Sequence, residues 1–158
     1  MERLIVETRD AEETRALGAR LGRRLAAGDV LCLRGGLGAG KTVLAQGVAA
    51  GLGVTEPVSS PTFNLLQQYA GRLTVYHLDA YRVSSPDELI DLGFPELWQA
   101  GGVVLIEWPE RIAPLPERRI DVRLEVVREG DAPERRRLTF TAHGDRAAAV
   151  LGAVAEEP

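Results

Sequence analysis

The sequence holds a single cysteine, Cys32, and a single lysine, Lys41. One cysteine excludes an internal disulfide, and its place in the middle of an apolar run makes it a small core residue in a reducing compartment. No apolar stretch is long enough to cross a bilayer, and no basic-then-apolar signal follows Met1, so a cytoplasmic protein is expected. A basic surplus is also missing. Nineteen Lys and Arg against 23 Asp and Glu leave a net charge of −4. That argues against the chain gripping nucleic acid unaided, because such affinity needs many Lys/Arg–phosphate contacts. Internal repeats, low-complexity tracts and long linkers are absent. The 158 residues are therefore expected to form one domain, 1–158, around one core.

The one lysine stands in Gly35-Gly36-Leu37-Gly38-Ala39-Gly40-Lys41-Thr42, which matches the phosphate-binding loop pattern throughout. Glycines let successive backbone N–H groups turn inward as a nest for phosphate oxygens. Lys41 adds a compact positive charge for the β- and γ-phosphates, and the Thr42 hydroxyl is a ligand for Mg²⁺. Every other basic side chain is arginine, so lysine is kept where a small ammonium must fit among phosphates. The context agrees. Asp29 to Arg34 is an apolar run feeding the loop, and Leu44, Val48 and Leu52 share one helix face until Gly53. That helix presents its free N–H groups and positive dipole end to the same anion. Residues Gly36, Leu37, Gly38, Ala39, Gly40, Lys41, Thr42 and Val43 are the expected nucleotide contacts.

Around this unit, Leu4 to Thr8 reads as a first strand. Asp10 and Glu13 then form a capping box for a helix striped by Leu17, Leu21 and Leu25 and ended by Gly28. Residues Val54 to Phe63 carry two prolines and read as a loop. Phe63 to Gln68 and Leu73 to Asp79 read as strands joined by a Gly71-Arg72 turn. Helices are expected from Pro86 and from Phe94. Gly102 to Glu107 has the continuous apolar character of a central parallel strand. Ile120 to Val126 and the stretch through Leu138 and Phe140 alternate, with Glu129-Gly130-Asp131 as their turn. An Ala-rich helix from Asp145 to Leu151 closes the chain, and residues 156–158 are expected to fray. This order predicts an α/β, three-layer P-loop NTPase fold with a mainly parallel central sheet and a C-terminal antiparallel hairpin.

Phosphate-loop enzymes hold Mg²⁺ partly through an acid at the carboxyl end of an apolar strand. Asp79 and Glu107 both end such runs and both emerge where ligands bind in open α/β sheets. Trp108, in Glu107-Trp108-Pro109-Glu110, is placed either to stack on a base or to pack on the rim. Thr62 lies in the Pro-rich loop, as a γ-phosphate sensor or a turn-forming hydroxyl. His77 reads as a packed or hydrogen-bonded strand residue rather than a catalytic base, and His143 as a surface loop residue. Arg135-Arg136-Arg137 could touch phosphates, but on an alternating strand it reads rather as a solvated face and sheet edge. A guanine signature of the Asn-Lys-x-Asp kind needs a second lysine, so ATP is the expected nucleotide.

Gly35 to Thr42, Ser60-Pro61-Thr62-Phe63, His77-Leu78-Asp79-Ala80-Tyr81-Arg82 and Glu107 to Glu110 resemble, in order and spacing, the motifs of the TsaE family, from about Leu4 to Val126. The resemblance implies a weak, partner-activated, Mg²⁺-dependent ATPase of bacterial tRNA threonylcarbamoyladenosine synthesis. It would act on the TsaB–TsaD complex, resetting it between turnovers, and meet tRNA only through that complex. It also implies catalytic roles for Lys41, Asp79, Glu107 and Thr62, metal ligation by Thr42, Glu107 and Asp79, and nucleotide contacts from Trp108 and Glu110. One departure stands out: Gly36 occupies a position where members usually carry an acid. Two other readings stay open. One is a small-molecule kinase using Asp79 as base and Arg82 as clamp; the other is a nucleotide-gated binding module needing no turnover.

Overall fold

Asp10 opens the first helix as the capping box requires: its carboxylate accepts from the Glu13 N–H at 2.8 Å. Glu13 reaches back to the Arg9 N–H at 2.8 Å, one residue beyond the cap itself. The computed structural model describes all residues except 60–64, 82, 84, 92, 94, 95, 97–100, 113 and 158. Its strands are β1 (Arg3–Thr8), β2 (Val30–Arg34), β3 (Leu66–Ala70), β4 (Thr74–Asp79), β5 (Val103–Glu107), β6 (Arg119–Val127) and β7 (Arg135–His143). The helices are α1 (Ala11–Arg24), α2 (Lys41–Gly51), α3 (Pro86–Asp91) and α4 (Asp145–Glu156).

The seven strands form one sheet in the order β1-β7-β6-β2-β5-β4-β3. Only the β2–β5, β2–β6 and β4–β5 pairings are parallel; β1–β7, β6–β7 and β3–β4 run antiparallel. The sheet is therefore mixed, not mainly parallel as the sequence predicts. Two short turns force antiparallel neighbours, at Gly71-Arg72 and after Val127, and β1 returns to pair with β7 at the far edge. The C-terminal antiparallel hairpin is present as expected.

β2 and β5 are apolar on both faces because both faces are covered. Leu31, Leu33, Val103 and Leu105 pack with the leucines of α1 and α2 and with Val150, Leu151 and Val154 of α4. Val30, Cys32, Val104 and Ile106 pack on the other face with Leu78, Val83 and Ile112. The helix expected from Phe94 falls mostly outside the described residues. Burial pushes the Cys32 thiol up to about 12, helped by the negative charge of Asp121. Cys32 in the folded protein therefore resists alkylation at pH 8, and labelling should appear only with unfolding; rapid labelling under native conditions would contradict this packing.

α1 and α2 touch backbone to backbone. A Cβ on Gly22 would lie 2.2 Å from the Val48 carbonyl oxygen, and one on Gly47 would lie 2.3 Å from that of Arg15. These glycines set the depth at which α2 sits on the sheet, and so the height of the loop before it. Gly47→Ala should cost about 1–3 kcal/mol through forced separation of the helices, several degrees of melting temperature. A Cβ on Gly152 of α4 would meet nothing within 4 Å among the described residues, so Gly152→Ala should instead stabilise by about 0.5–1 kcal/mol. Equal thermal shifts of the two variants would contradict the close approach.

Three boundaries differ from expectation. The strand read from Phe63 begins at Leu66 and runs to Ala70. α4 continues past Leu151 to Glu156. Glu157 is pinned rather than frayed: Arg23 pairs with its carboxylate at 2.8 Å and Arg20 donates to its carbonyl at 2.7 Å.

Candidate phosphate-binding site

β2 ends at Arg34, the glycine loop turns over it, and α2 begins at Lys41. Gly35 lies so close to β6 that a Cβ there would sit 2.7 Å from the Leu124 carbonyl oxygen. Gly40 caps α2 with φ 106° and ψ 16°, a left-handed conformation open to glycine. Among the described residues no side chain caps this helix, and its first turn holds no acid, so its N–H groups and dipole are left for an anion. A Cβ on Gly36 would meet nothing within 4 Å among the described residues. An acid placed there by Gly36→Asp should therefore change stability by no more than about 0.5 kcal/mol in thermal unfolding; a large loss would contradict the open surroundings of this glycine.

Lys41 is only 6 % exposed although it starts a helix. Its ammonium donates to the Gly35 carbonyl at 2.8 Å and lies 3.7 Å from the centroid of the Trp108 ring. Such a desolvated cation–π contact contributes up to about 2 kcal/mol. Trp108 reaches this position through φ 59° and ψ 51°, a strained conformation for a non-glycine residue, at the head of a single 3-10 turn over Pro109–Arg111. Tyr81 stands behind it with ring centroids 4.9 Å apart, and the Arg111 guanidinium lies 5.4 Å from the Tyr81 ring.

The two acids meet here. Asp79 and Glu107 are opposite each other across the parallel β4–β5 pair, at the carboxyl ends of both strands. Asp79 accepts from the Tyr81 N–H at 3.0 Å. Glu107 is 3 % exposed, and its Oε2 lies 2.7 Å from Nε2 of His77, which is wholly buried. Burial lowers the Lys41 pKa below the ordinary lysine value, and the charges of Glu107, Asp79 and Glu110 offset part of that shift. Glu110 itself is held 3.5 Å from Arg34.

Lys41, Thr42, Asp79, Glu107, Trp108 and Glu110 are thus gathered at one edge of the sheet, as the sequence predicts. Thr62 and Arg82 lie outside the described residues. The sequence sets Arg136 on a solvated sheet edge, but β7 lies between β1 and β6 and Arg136 reaches the glycine loop. Its guanidinium donates to the carbonyls of Ala39 at 3.1 Å and Gly38 at 3.3 Å, tying β7 to the glycine loop. Strict alternation puts Arg136 on the face opposite Arg135 and Arg137, which is the one signal that could have found it. His143 ends β7 rather than a loop and pairs with Asp121 at 2.7 Å.

A cavity of about 200 Å³ abuts the loop, lined by Arg9, Asp10, Thr14, Gly40, Val43 and Arg136 among others. A larger one, about 550 Å³, opens at the other end of the sheet beside Gly28, Arg118 and His143, and touches none of the loop. Size does not decide between them. The smaller cavity adjoins the glycine nest and the helix N-terminus, and the larger one does not. Among the described residues no three His, Cys, Asp or Glu side chains cluster to hold a metal alone, and no helix is long and apolar enough to cross a membrane.

Residues 8–137 match the family model of the threonylcarbamoyl adenosine biosynthesis protein TsaE. The chain is 45 % identical over 125 residues to the tRNA threonylcarbamoyladenosine biosynthesis protein TsaE of Treponema pallidum, covering 78 % of this chain and 93 % of that protein. With the protein of the same name from Bacillus subtilis it shares 43 % identity over 148 residues, 92 % of this chain and 90 % of the relative. The crystal structure of Bacillus subtilis YdiB superposes with a TM-score of 0.82 at 36 % identity, covering 98 % of this chain and 95 % of that one. The family match, the identities and the superposition agree with the loop and the two strand-end acids: the chain belongs to the TsaE family.

Proposed function

We propose that this protein is the Mg²⁺-dependent ATPase of bacterial tRNA threonylcarbamoyladenosine synthesis, a single cytoplasmic domain that is slow alone and activated by the TsaB–TsaD complex, which it resets between turnovers. The observation that carries the nucleotide assignment is a buried Lys41 ammonium, 2.8 Å from the Gly35 carbonyl and within the field of two strand-end carboxylates, at the start of a helix that no described side chain caps. A lysine held that way needs an anion, and the glycine loop supplies the amides for one.

In this reading the triphosphate lies along residues 36–43, with Lys41 exchanging the Gly35 carbonyl and the Trp108 face for β- and γ-phosphate oxygens. Trp108 then moves beside the nucleotide, with Glu110 at the same rim. The cavity beside Gly40 and Val43 takes the base. The donor set fits Mg²⁺, which is held by one or two carboxylates together with a hydroxyl and phosphate oxygens rather than by a cage of protein ligands. Thr42, Asp79 and Glu107 would hold it, and when bound it would neutralise charge on the transferring phosphoryl group. Arg136 keeps the loop in its nest conformation, and Thr62 belongs to the loop that senses the γ-phosphate.

ATP turnover measured with and without TsaB–TsaD tests the proposal. Activation by the complex is expected. Turnover that ignores the complex and rises with a small-molecule acceptor would overturn it in favour of a kinase.

A further inference from the structure

His77 has no part in the scheme above, yet it is the most deeply buried polar group near the acids. It is 0 % exposed, on β4, and its Nε2 meets Glu107 Oε2 on β5 at 2.7 Å. Its other nitrogen, Nδ1, is buried with no hydrogen-bond partner among the described residues. A residue serving only to fill the core is poorly served by an imidazole with an orphaned nitrogen, since an apolar side chain of like size avoids that cost. The polar atom that is satisfied points at the one carboxylate, 3 % exposed, that ends the central strand.

We infer that His77 is a positioning residue for Glu107: its Nε2–H holds Oε2, fixing the carboxylate so that Oε1 is the oxygen available to the cation of a bound nucleotide. A carboxylate only accepts, so the proton of this hydrogen bond sits on Nε2. Asp79 stands directly opposite Glu107, and two neighbouring carboxylates repel. Without a donor, Glu107 is free to rotate away from Asp79, and the cation loses one of its oxygens. Outer-shell partners of this kind are worth roughly 10–100-fold in metal affinity. The inference rests on the assignment of Glu107 to the metal.

The test compares His77→Leu, which removes the donor, with His77→Gln, whose amide restores one at similar reach. The affinity for ATP is measured by calorimetry in EDTA and against increasing Mg²⁺. His77→Leu should raise the half-saturating Mg²⁺ concentration roughly 10–100-fold and leave metal-free ATP binding unchanged, and His77→Gln should recover most of the loss. A folded His77→Leu protein with the wild-type Mg²⁺ dependence would overturn the inference. A wild-type protein that binds ATP equally with and without Mg²⁺ would instead overturn the metal assignment itself. Should His77→Leu not fold, imidazole ¹⁵N NMR of the wild type, assigned against His143→Asn, gives an independent reading. A proton on His77 Nε2 that shifts when Mg²⁺ is added to the ATP complex supports the role; a bare Nε2 overturns it.

Discussion

Lys41→Ala is expected to lower ATP turnover by at least about a hundredfold, the scale on which a preorganised donor to developing negative charge is missed. The loss should appear in kcat and not only in KM, because the ammonium serves the phosphoryl oxygens most strongly when their charge peaks. Stability reports on Lys41 by a separate route. The folded state lowers the Lys41 pKa, which means that it disfavours the charged side chain relative to the unfolded chain. Alanine removes that cost together with the Gly35 hydrogen bond and the Trp108 contact, which oppose it, so the pH dependence of stability rather than the melting temperature at one pH isolates the lysine. The sign also fixes the pH behaviour: between the lowered folded value and the ordinary lysine value, the unfolded chain binds more protons and wild-type stability rises with pH. Alanine should abolish that rise. Undiminished hydrolysis by Lys41→Ala would sink the assignment of the loop.

Glu107→Gln is expected to produce a second loss of about a hundredfold, by a different route. The amide keeps the size but removes the charge offered to the cation, and it weakens the acceptor facing His77 at 2.7 Å. Glu107 is also the foremost of the three acids that hold the Lys41 pKa up. The alkaline limb of kcat/KM, which reports the free enzyme, should already fall below the ordinary lysine value in the wild type. In Glu107→Gln it should move to still lower pH. An unshifted limb would mean that Lys41 and Glu107 do not feel each other.

What could be read from the sequence was what local chemistry dictates. The glycine loop is legible because positive φ and close backbone approach admit few other residues, and Lys41 because it is the only lysine. Asp79 and Glu107 are legible because each terminates an apolar run, and the carboxyl edge of a sheet is where such acids emerge. The capping box at Asp10 is equally local. The mixed sheet was not legible. β1 joins β7 with Leu4 opposite Phe140, a pairing between the two ends of the chain that no short-range pattern announces. The same holds for Arg136, whose partners Ala39 and Gly38 are far away in sequence. It holds for His77 too, where the alternation shows a buried face but only the β4–β5 register brings Glu107 within reach. Trp108 differs again. Its place over Lys41 depends on a left-handed backbone at a bulky residue, which runs against every local preference.

The most direct measurement is a calorimetric titration of this protein with ATP and Mg²⁺, alone and with TsaB–TsaD, beside Lys41→Ala as a control. Saturable heat from one site in the wild type, lost in the variant, is the predicted result. No heat in either setting would contradict the claim that a nucleoside triphosphate fills the glycine nest.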